Sequence, residues 1–105
     1  MIQTWIHRLK PGMESRLRAW LGELHARADE LRESFAAAGV RSEQAFLVDD
    51  GAGWLLIYVS EADDQAHAAR AFAASSLAID VEHRAVMAEC IETTLNDPPV
   101  YDAAR

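Results

Sequence analysis

The sequence predicts an α+β protein of the ferredoxin-like type, a split βαβ arrangement built on one antiparallel sheet. Two observations predict it. Short runs of β-forming residues alternate with segments whose apolar residues recur every three or four positions, and the elements follow the order β-α-β-β-α-(α)-β. At 105 residues the chain can build one hydrophobic core but not two. We therefore expect one domain over residues 1–105, with an irregular tail from about residue 96.

The first third of the chain predicts a strand followed by one long helix. Ile2–Leu9 is rich in β-formers and stops at the turn signal Lys10-Pro11-Gly12. The helical spacing that follows is carried by Leu17, Trp20, Leu21, Leu24, Ala28, Leu31 and Phe35. Gly39 is placed where a helix commonly ends, so we expect a single helix up to that glycine.

The middle of the chain predicts a hairpin. Its strands are Val40–Val48 and Trp54–Ser60, joined by the turn sequence at 49–53. Because strand side chains alternate between faces, Leu55, Ile57 and Val59 form one apolar face, which we expect to pack on the helices. The opposite face carries Trp5, His7, Leu9, Trp54, Leu56 and Tyr58. A face so rich in aromatic residues needs a cover, either a second subunit, a ligand or both.

The last third predicts two helices and a fourth strand. Asp63 is the expected cap of the first helix, whose apolar side would be Ala66, Ala69, Phe72 and Ala73. Asp80 is the expected cap of the second, which runs to about Glu92 with Val86, Met87, Cys90 and Ile91 inward. The fourth strand is either Thr93–Leu95 or Val100–Asp102, because Pro98 and Pro99 interrupt regular structure between them.

The composition limits the classes of partner and the cellular compartments that we expect for this protein. The net charge of −7 disfavours nucleic-acid binding, which needs clustered Lys and Arg. Cys90 is the single cysteine, so an intrachain disulfide is impossible, and a reducing compartment fits best. The longest apolar run, Trp54–Val59, is too short to cross a bilayer, and the N-terminal segment lacks the pattern of a signal peptide. We expect a cytoplasmic protein without membrane association.

Two segments resemble known proteins. The turn Arg8-Leu9-Lys10-Pro11-Gly12 entering a long helix resembles members of the dimeric α+β barrel superfamily, and the segment Ala78–Cys90 is similar to a bacterial family of unknown function with that architecture. The resemblance implies a homodimer in which two ferredoxin-like sheets pack face to face and each subunit encloses a pocket. The superfamily contains cofactor-free quinol monooxygenases, polyketide cyclases and haem-degrading oxygenases. A shared fold does not choose between them.

Three residues are candidates for catalysis. His83 shares a helix face with Met87 and Cys90, and Asp80 lies three residues earlier, where its carboxylate could orient the ring as a general base. The alternative is that Asp80 is only a helix cap and His83 only half-buried. His7 should face the pocket from the first strand as a polar contact, and its alternative is a hydrogen-bonded core histidine. His25 and His67 fall on exposed helix faces.

The predicted substrate-binding residues are Trp5, Trp54, Tyr58, Leu56 and Met87. Such walls suit a flat, mostly apolar ligand, and Tyr58 could donate a hydrogen bond to a developing oxyanion. The alternative is that these side chains form the dimer core. We expect neither a metal nor a cofactor. Similar haem-degrading proteins use a helix histidine as the iron ligand, an asparagine on the first strand and a tryptophan at the end of the third strand. His83 could match the histidine. The position of the asparagine holds His7, and the end of the third strand is Val59-Ser60.

The sequence therefore supports three hypotheses. The first is a small cofactor-independent enzyme, cyclase-like or monooxygenase-like, acting on an aromatic or polyketide-type molecule. The second is a non-catalytic binding or structural dimer whose barrel is filled by its own aromatic side chains. The third is a haem-binding protein.

Overall fold

The computed structural model describes residues 1–95 and 97–105. Its elements, in chain order, are β1 (Ile2–Leu9), α1 (Glu14–Ala26), α2 (Ala28–Ala38), β2 (Val40–Asp49), β3 (Trp54–Ala62), α3 (Gln65–Ala74), α4 (Ala78–Cys90) and β4 (Ile91–Leu95). The predicted irregular tail begins at Asn96, which lies outside the described residues, and residues 97–105 contain no helix or strand. Within the described chain, no helix is both long and apolar enough to cross a membrane.

The four strands form one sheet in the order β2-β3-β1-β4. All three pairings are antiparallel, with β1 and β3 in the centre and β2 and β4 at the edges. The helices α1 and α2 connect β1 to β2, and β3 lies between these two strands in the sheet, which is the split βαβ arrangement. This architecture confirms the predicted fold class.

The predicted single helix after β1 is wrong, because the chain breaks it at Arg27. This residue leaves helical geometry at φ −104° and ψ 46°, and its N–H donates to both Glu23 O and Leu24 O. Its guanidinium lies 2.5 Å from Glu30 and 2.6 Å from Glu82 of α4. The apolar spacing continues across the break, so periodicity alone could not reveal it. Gly39 then ends α2 in the left-handed region at φ 69°, as predicted.

The two helices after β3 begin at residues other than those predicted. Asp64 caps α3 instead of Asp63, and its carboxylate accepts the His67 N–H at 3.1 Å. The buried side of α3 is therefore Gln65 and Ala68, whereas Ala66 and Ala73 are exposed. The predicted cap Asp80 lies inside α4, because the helix already begins at Ala78.

The fourth strand follows α4 without a loop. Ile91 leaves the helix with extended backbone and pairs with Leu9 of β1, so α4 ends at Cys90 and not near Glu92. Of the two predicted positions for this strand, Thr93–Leu95 is correct and lies within β4. The other, Val100–Asp102, is not a strand.

The predicted assignment of the sheet faces is reversed. Leu56, Tyr58 and Ser60 of β3 are 0%, 7% and 3% exposed and lie under the helices. Their neighbours Leu55 and Ile57 point to the other face and stay half-buried. Both faces of β3 are apolar, so alternation could not tell them apart. On the helix side, Tyr58 belongs to the core cluster and Trp5 packs against it.

The sheet face turned away from the helices is called the open face below. Antiparallel register places opposite residues on the same face, and this assigns to it the apolar residues Ile2, Ile6, Phe46, Val48, Leu55, Ile57, Val59 and Leu95. Phe46, Val48 and Leu95 are 48%, 42% and 50% exposed. Exposed apolar residues grouped in this way are typical of interaction surfaces.

The core lies between the sheet and the helices. Its most deeply buried large side chains are Leu17, Trp20, Leu56, Ile79 and Cys90. Burial of each such side chain contributes roughly 1.5–3 kcal/mol to folding. Cys90 is a free thiol fully enclosed in this core, in agreement with its predicted packing role.

Candidate functional site

A cavity of about 320 Å³ opens between the helices and the helix-facing side of the sheet. β1, β2 and β3 form its floor, and α2, α3 and α4 form its walls. Its apolar lining consists of Trp5, Leu31, Phe35, Ala38, Val40, Ala68, Ala69, Phe72 and Met87. Its polar lining consists of His7, Ser34, Glu43, Tyr58, Ser60, Gln65, Asp80 and His83. The volume lies at the lower end of the range of small-molecule sites.

His83 is held by hydrogen bonds at both ring nitrogens. The indole nitrogen of Trp20 lies 3.3 Å from Nδ1, and the Tyr58 hydroxyl lies 3.2 Å from Nε2. The ring of Phe72 meets the imidazole edge to face, with centroids 5.4 Å apart. Contacts from α1, β3 and α3 therefore fix the orientation of this side chain.

These contacts decide the tautomer of His83. An indole N–H can only donate, so Nδ1 must accept. Burial lowers the pKa of His83 to about 4, against a smaller opposing effect of the Asp80 charge, and the ring is neutral at pH 7. The proton of the neutral ring then lies on Nε2 and is donated to the Tyr58 oxygen.

Tyr58 is left with its own proton to donate. Burial raises the pKa of its phenol well above the usual value, and the charge of Glu43 adds to the effect, so the hydroxyl stays protonated. Because the Tyr58 oxygen already accepts from His83, the O–H is available to an acceptor in the cavity. Tyr58 is thus a hydrogen-bond donor set in a largely apolar pocket.

Asp80 lines the cavity but does not bond to His83. It is 5% exposed, and its two oxygens accept separate hydrogen bonds of 2.6 Å from the hydroxyls of Ser34 and Ser75. The sequence-based hypothesis that Asp80 orients His83 is therefore not supported by the contacts. Its effect on the ring is that of a nearby negative charge.

Glu43 also lines the cavity, although no sequence pattern predicted it as a site residue. It stands on the edge strand β2 opposite Ser60, so it faces the helices. Removal of water by the surrounding protein raises the pKa of Glu43 to about 7, and the charge of Asp80 adds to this. Solvent still reaches the residue through the open rim. Its neighbours in sequence, Ser42 and Gln44, give no signal of a site.

His7 faces the same cavity from β1. Its Nδ1 lies 2.8 Å from the hydroxyl of Thr94 on β4, and its ring meets that of Tyr58 edge to face at 6.3 Å. Partial burial lowers the pKa of His7. The hydrogen bond to β4 agrees with the interpretation of His7 as a hydrogen-bonded core histidine. Its place in the cavity lining agrees with the interpretation of His7 as a polar contact of the pocket.

The structure brings together six of the eight predicted site residues: Trp5, His7, Tyr58, Asp80, His83 and Met87 all line the cavity. It separates Trp54 and Leu56 from them. Leu56 is completely buried in the core, and Trp54 lies at the other end of β3, where Arg18 stacks on its ring at 5.8 Å.

His25 and His67 are exposed, as predicted. Among the described residues, no three His, Cys, Asp or Glu side chains are grouped as metal ligands.

Comparison with known proteins identifies the family. Residues 2–102 match the model of a family of unknown function, DUF6176. The chain belongs to the DUF6176 family. Among functionally curated proteins, none matches this sequence significantly.

Solved structures similar to this DUF6176 chain share its fold at low sequence identity. An L-rhamnose mutarotase from Formosa agariphila is 13% identical over 99% of each chain, with a TM-score of 0.62. A dimeric protein of unknown function with a ferredoxin-like fold from Bacteroides fragilis is 15% identical, covering 90% of this chain and 89% of that one, with a TM-score of 0.54. A candidate antibiotic biosynthesis monooxygenase from Nitrosomonas europaea is 14% identical over 96% and 100% of the two chains, with a TM-score of 0.52. The predicted ferredoxin-like fold and unknown-function family are both confirmed.

Proposed function

We propose that the protein is a homodimer whose subunits each bind a compact, mostly apolar molecule and catalyse a cofactor-independent proton transfer on it. Glu43 is the general base, and Tyr58 donates a hydrogen bond to the oxygen on which charge develops. The observation that carries this proposal is the Trp20–His83–Tyr58 chain of hydrogen bonds, which leaves the phenol proton free in a mostly apolar cavity.

The apolar walls support a ligand with a flat, hydrophobic body. Trp5, Phe35 and Phe72 present aromatic rings to the cavity, and Met87 adds a flexible apolar side chain. Such walls bury apolar ligand surface, while a few polar groups determine its orientation. The structurally similar mutarotase acts on a sugar, but this lining favours a less polar ligand.

The acid–base groups support proton transfer next to a carbonyl. A carboxylate with a pKa near 7 removes protons efficiently at neutral pH, and Glu43 meets this condition at a position that solvent and ligand can reach. A protonated phenol stabilises the resulting enolate oxygen. The proton taken by Glu43 can return to another atom of the ligand, so the reaction balances as an isomerisation or cyclisation.

This proposal changes the role first predicted for His83. Neither of its ring nitrogens is available to the ligand, since Nδ1 accepts from Trp20 and Nε2 contacts Tyr58. We therefore propose His83 as a positioning residue for Tyr58 rather than as the base. The same contacts leave no free nitrogen for a haem iron, which disfavours the haem hypothesis.

The open face supports the dimer. Its apolar residues are half-buried or exposed in one chain, and two copies packed through this face would remove them from water. The similar Bacteroides fragilis protein is described as dimeric. Because the cavity lies on the other side of the sheet, dimerisation leaves its mouth accessible.

The experiment uses β-tetralone, a compact bicyclic ketone, as the probe. The purified protein is mixed with it in deuterated water, and hydrogen exchange next to the carbonyl is followed by NMR. Glu43→Gln is expected to lower the exchange rate by roughly 100-fold or more, and Tyr58→Phe by roughly tenfold or more. Glu33→Gln and Tyr101→Phe alter exposed residues outside the cavity and serve as matched controls.

The alternative is a binding protein without catalysis. It predicts that β-tetralone shifts the Trp5 indole resonance while exchange proceeds at the buffer rate in the wild type. Absence of both binding and exchange would contradict the small-molecule proposal as a whole.

A further inference from the structure

We infer that the cavity selects an organic cation: a compact apolar body that carries a protonated amine. The inference rests on the proposed small-molecule function, because it concerns the ligand of the same cavity. The inference specifies the charge of the ligand, and this charge follows from the groups that line the cavity.

The charged groups on the cavity wall are all acidic. Two carboxylate side chains line the cavity, Asp80 from α4 and Glu43 from β2. His7 and His83 are held neutral by burial at pH 7, because burial lowers both pKa values. No Lys or Arg belongs to the part of the lining that the structure describes. An anionic ligand would therefore meet no positive charge in the described lining.

The Asp80 carboxylate makes no ion pair with any residue that the structure describes. Both of its oxygens are satisfied by neutral serine hydroxyls, and it is almost fully buried. Burial of a carboxylate without an opposite charge is costly. A ligand ammonium close to Asp80 would supply the missing charge, and this favours a cation over a neutral ligand of the same shape.

Two arginines, one on α4 and one between α1 and α2, are engaged elsewhere. Arg84 donates to the carbonyl oxygens of Phe72 at 2.6 Å and Ser75 at 2.8 Å. Arg27 pairs with Glu30 and Glu82 outside the cavity. Neither guanidinium compensates the carboxylates of the lining.

The aromatic walls favour a cation for an independent reason. Trp5, Phe35, Tyr58 and Phe72 line the cavity, and the faces of aromatic rings attract ammonium groups, the more so when water is excluded. The same rings would pack against the apolar body of the ligand. Carboxylates together with aromatic rings therefore favour an amine attached to a hydrophobic group.

The test compares three probes of one shape and three charges: β-aminotetralin, β-tetralol and tetralin-β-carboxylate. Their dissociation constants are measured by NMR titration of the full-length protein. The ammonium is expected to bind at least tenfold more tightly than the alcohol, and the carboxylate most weakly. Equal binding of ammonium and alcohol, or tightest binding of the carboxylate, would overturn the inference and leave the proposed function standing. If β-tetralone and all three probes fail to bind, both are wrong.

Two isosteric variants test which groups are responsible. Asp80→Asn and Glu43→Gln should each reduce the ratio of ammonium to alcohol affinity by about threefold to tenfold, while Glu33→Gln should leave the ratio unchanged. Glu43 is on the exposed rim, so its variant keeps the test valid if the Asp80 variant does not fold. An unchanged ratio in every folded variant would overturn the inference.

Discussion

The indole N–H of Trp20 donates to Nδ1 of His83 across 3.3 Å. This contact between α1 and α4 leaves the other ring nitrogen to Tyr58. Trp20 is 2% exposed. Its N–H thus determines that the His83 proton lies on Nε2 and that the Tyr58 hydroxyl accepts a hydrogen bond from it.

The first prediction concerns this tautomer. In the wild type, nitrogen NMR should show His83 as the neutral ring protonated at Nε2. Trp20→Phe removes the donor, and we expect the Nδ1-protonated form to become populated, together with a loss of about 1–3 kcal/mol in the free energy of unfolding. Trp54→Phe, at the far end of β3, should leave the His83 resonances in place. A wild-type ring protonated at Nδ1 would contradict the assignment.

The second prediction concerns stability in acid. His83 has a pKa of about 4 in the folded chain, against 6.5 for an unperturbed histidine. Between these values the unfolded chain binds a proton that the folded chain does not. Stability is therefore present above pH 6.5 and falls as the pH drops towards 4, by up to about 3 kcal/mol.

Urea unfolding of the wild type and of His83→Gln measures this effect. The difference in unfolding free energy between the two proteins should shrink as the pH falls from about 6.5 to about 4. His7 acts in the same direction and Glu43 in the opposite one, and both cancel in this comparison. His25→Gln changes an exposed ring and should follow the wild type. A pH-independent difference for His83→Gln would refute the buried neutral ring.

The third prediction concerns Glu43. Carbon NMR of its carboxyl group should show a titration midpoint near pH 7, because burial and the charge of Asp80 oppose ionisation. Asp80→Asn removes the like charge and should lower the midpoint, although burial keeps it above 4.5. Exposed Glu33 serves as an internal reference in the same spectra. A Glu43 midpoint at the reference value would remove its proposed role as the base.

The fourth prediction concerns the open face. Phe46→Glu places a charge among apolar residues of two neighbouring strands, where Phe46 lies opposite Ile57. We expect the wild type to be a dimer by light scattering and this variant to be a monomer at the same concentration. Val81→Glu alters an exposed apolar residue, 47% exposed, on α4 and should remain dimeric. A monomeric wild type would refute the proposed interface.

Part of the candidate site could be predicted from sequence because it follows from element order. Once β1 and β3 are central partners and α4 packs on them, Trp5 and His7 must come near Tyr58, and His83 near all three. Trp5 and Tyr58 are in fact directly paired. The error over Trp54 and Leu56 has the same origin, since they share a face with Tyr58 but lie where the helices close over the sheet.

Other features of the site had no local signal. Glu43 is one charged residue in a polar stretch, and its raised pKa depends on Asp80, which is distant in sequence. The serines that hold Asp80 come from α2 and from the segment before α4. At the break between α1 and α2, the guanidinium of Arg27 pairs with Glu82 of another helix. These contacts join residues whose spacing in the sequence follows no helix or strand periodicity, so a sequence pattern could not predict them.

The sequence by itself determined the order of the strands and of the helical segments between them, and therefore the antiparallel ferredoxin-like sheet, because periodicity and turn signals are local properties. Only the tertiary structure decided which face of that sheet carries the helices. Both faces are apolar, so alternation does not distinguish them; in the folded chain Trp20 and Tyr58 lie in the core beneath the helices, and Trp5 packs against them. That packing placed the cavity beside His83 and left the other face open to a second subunit.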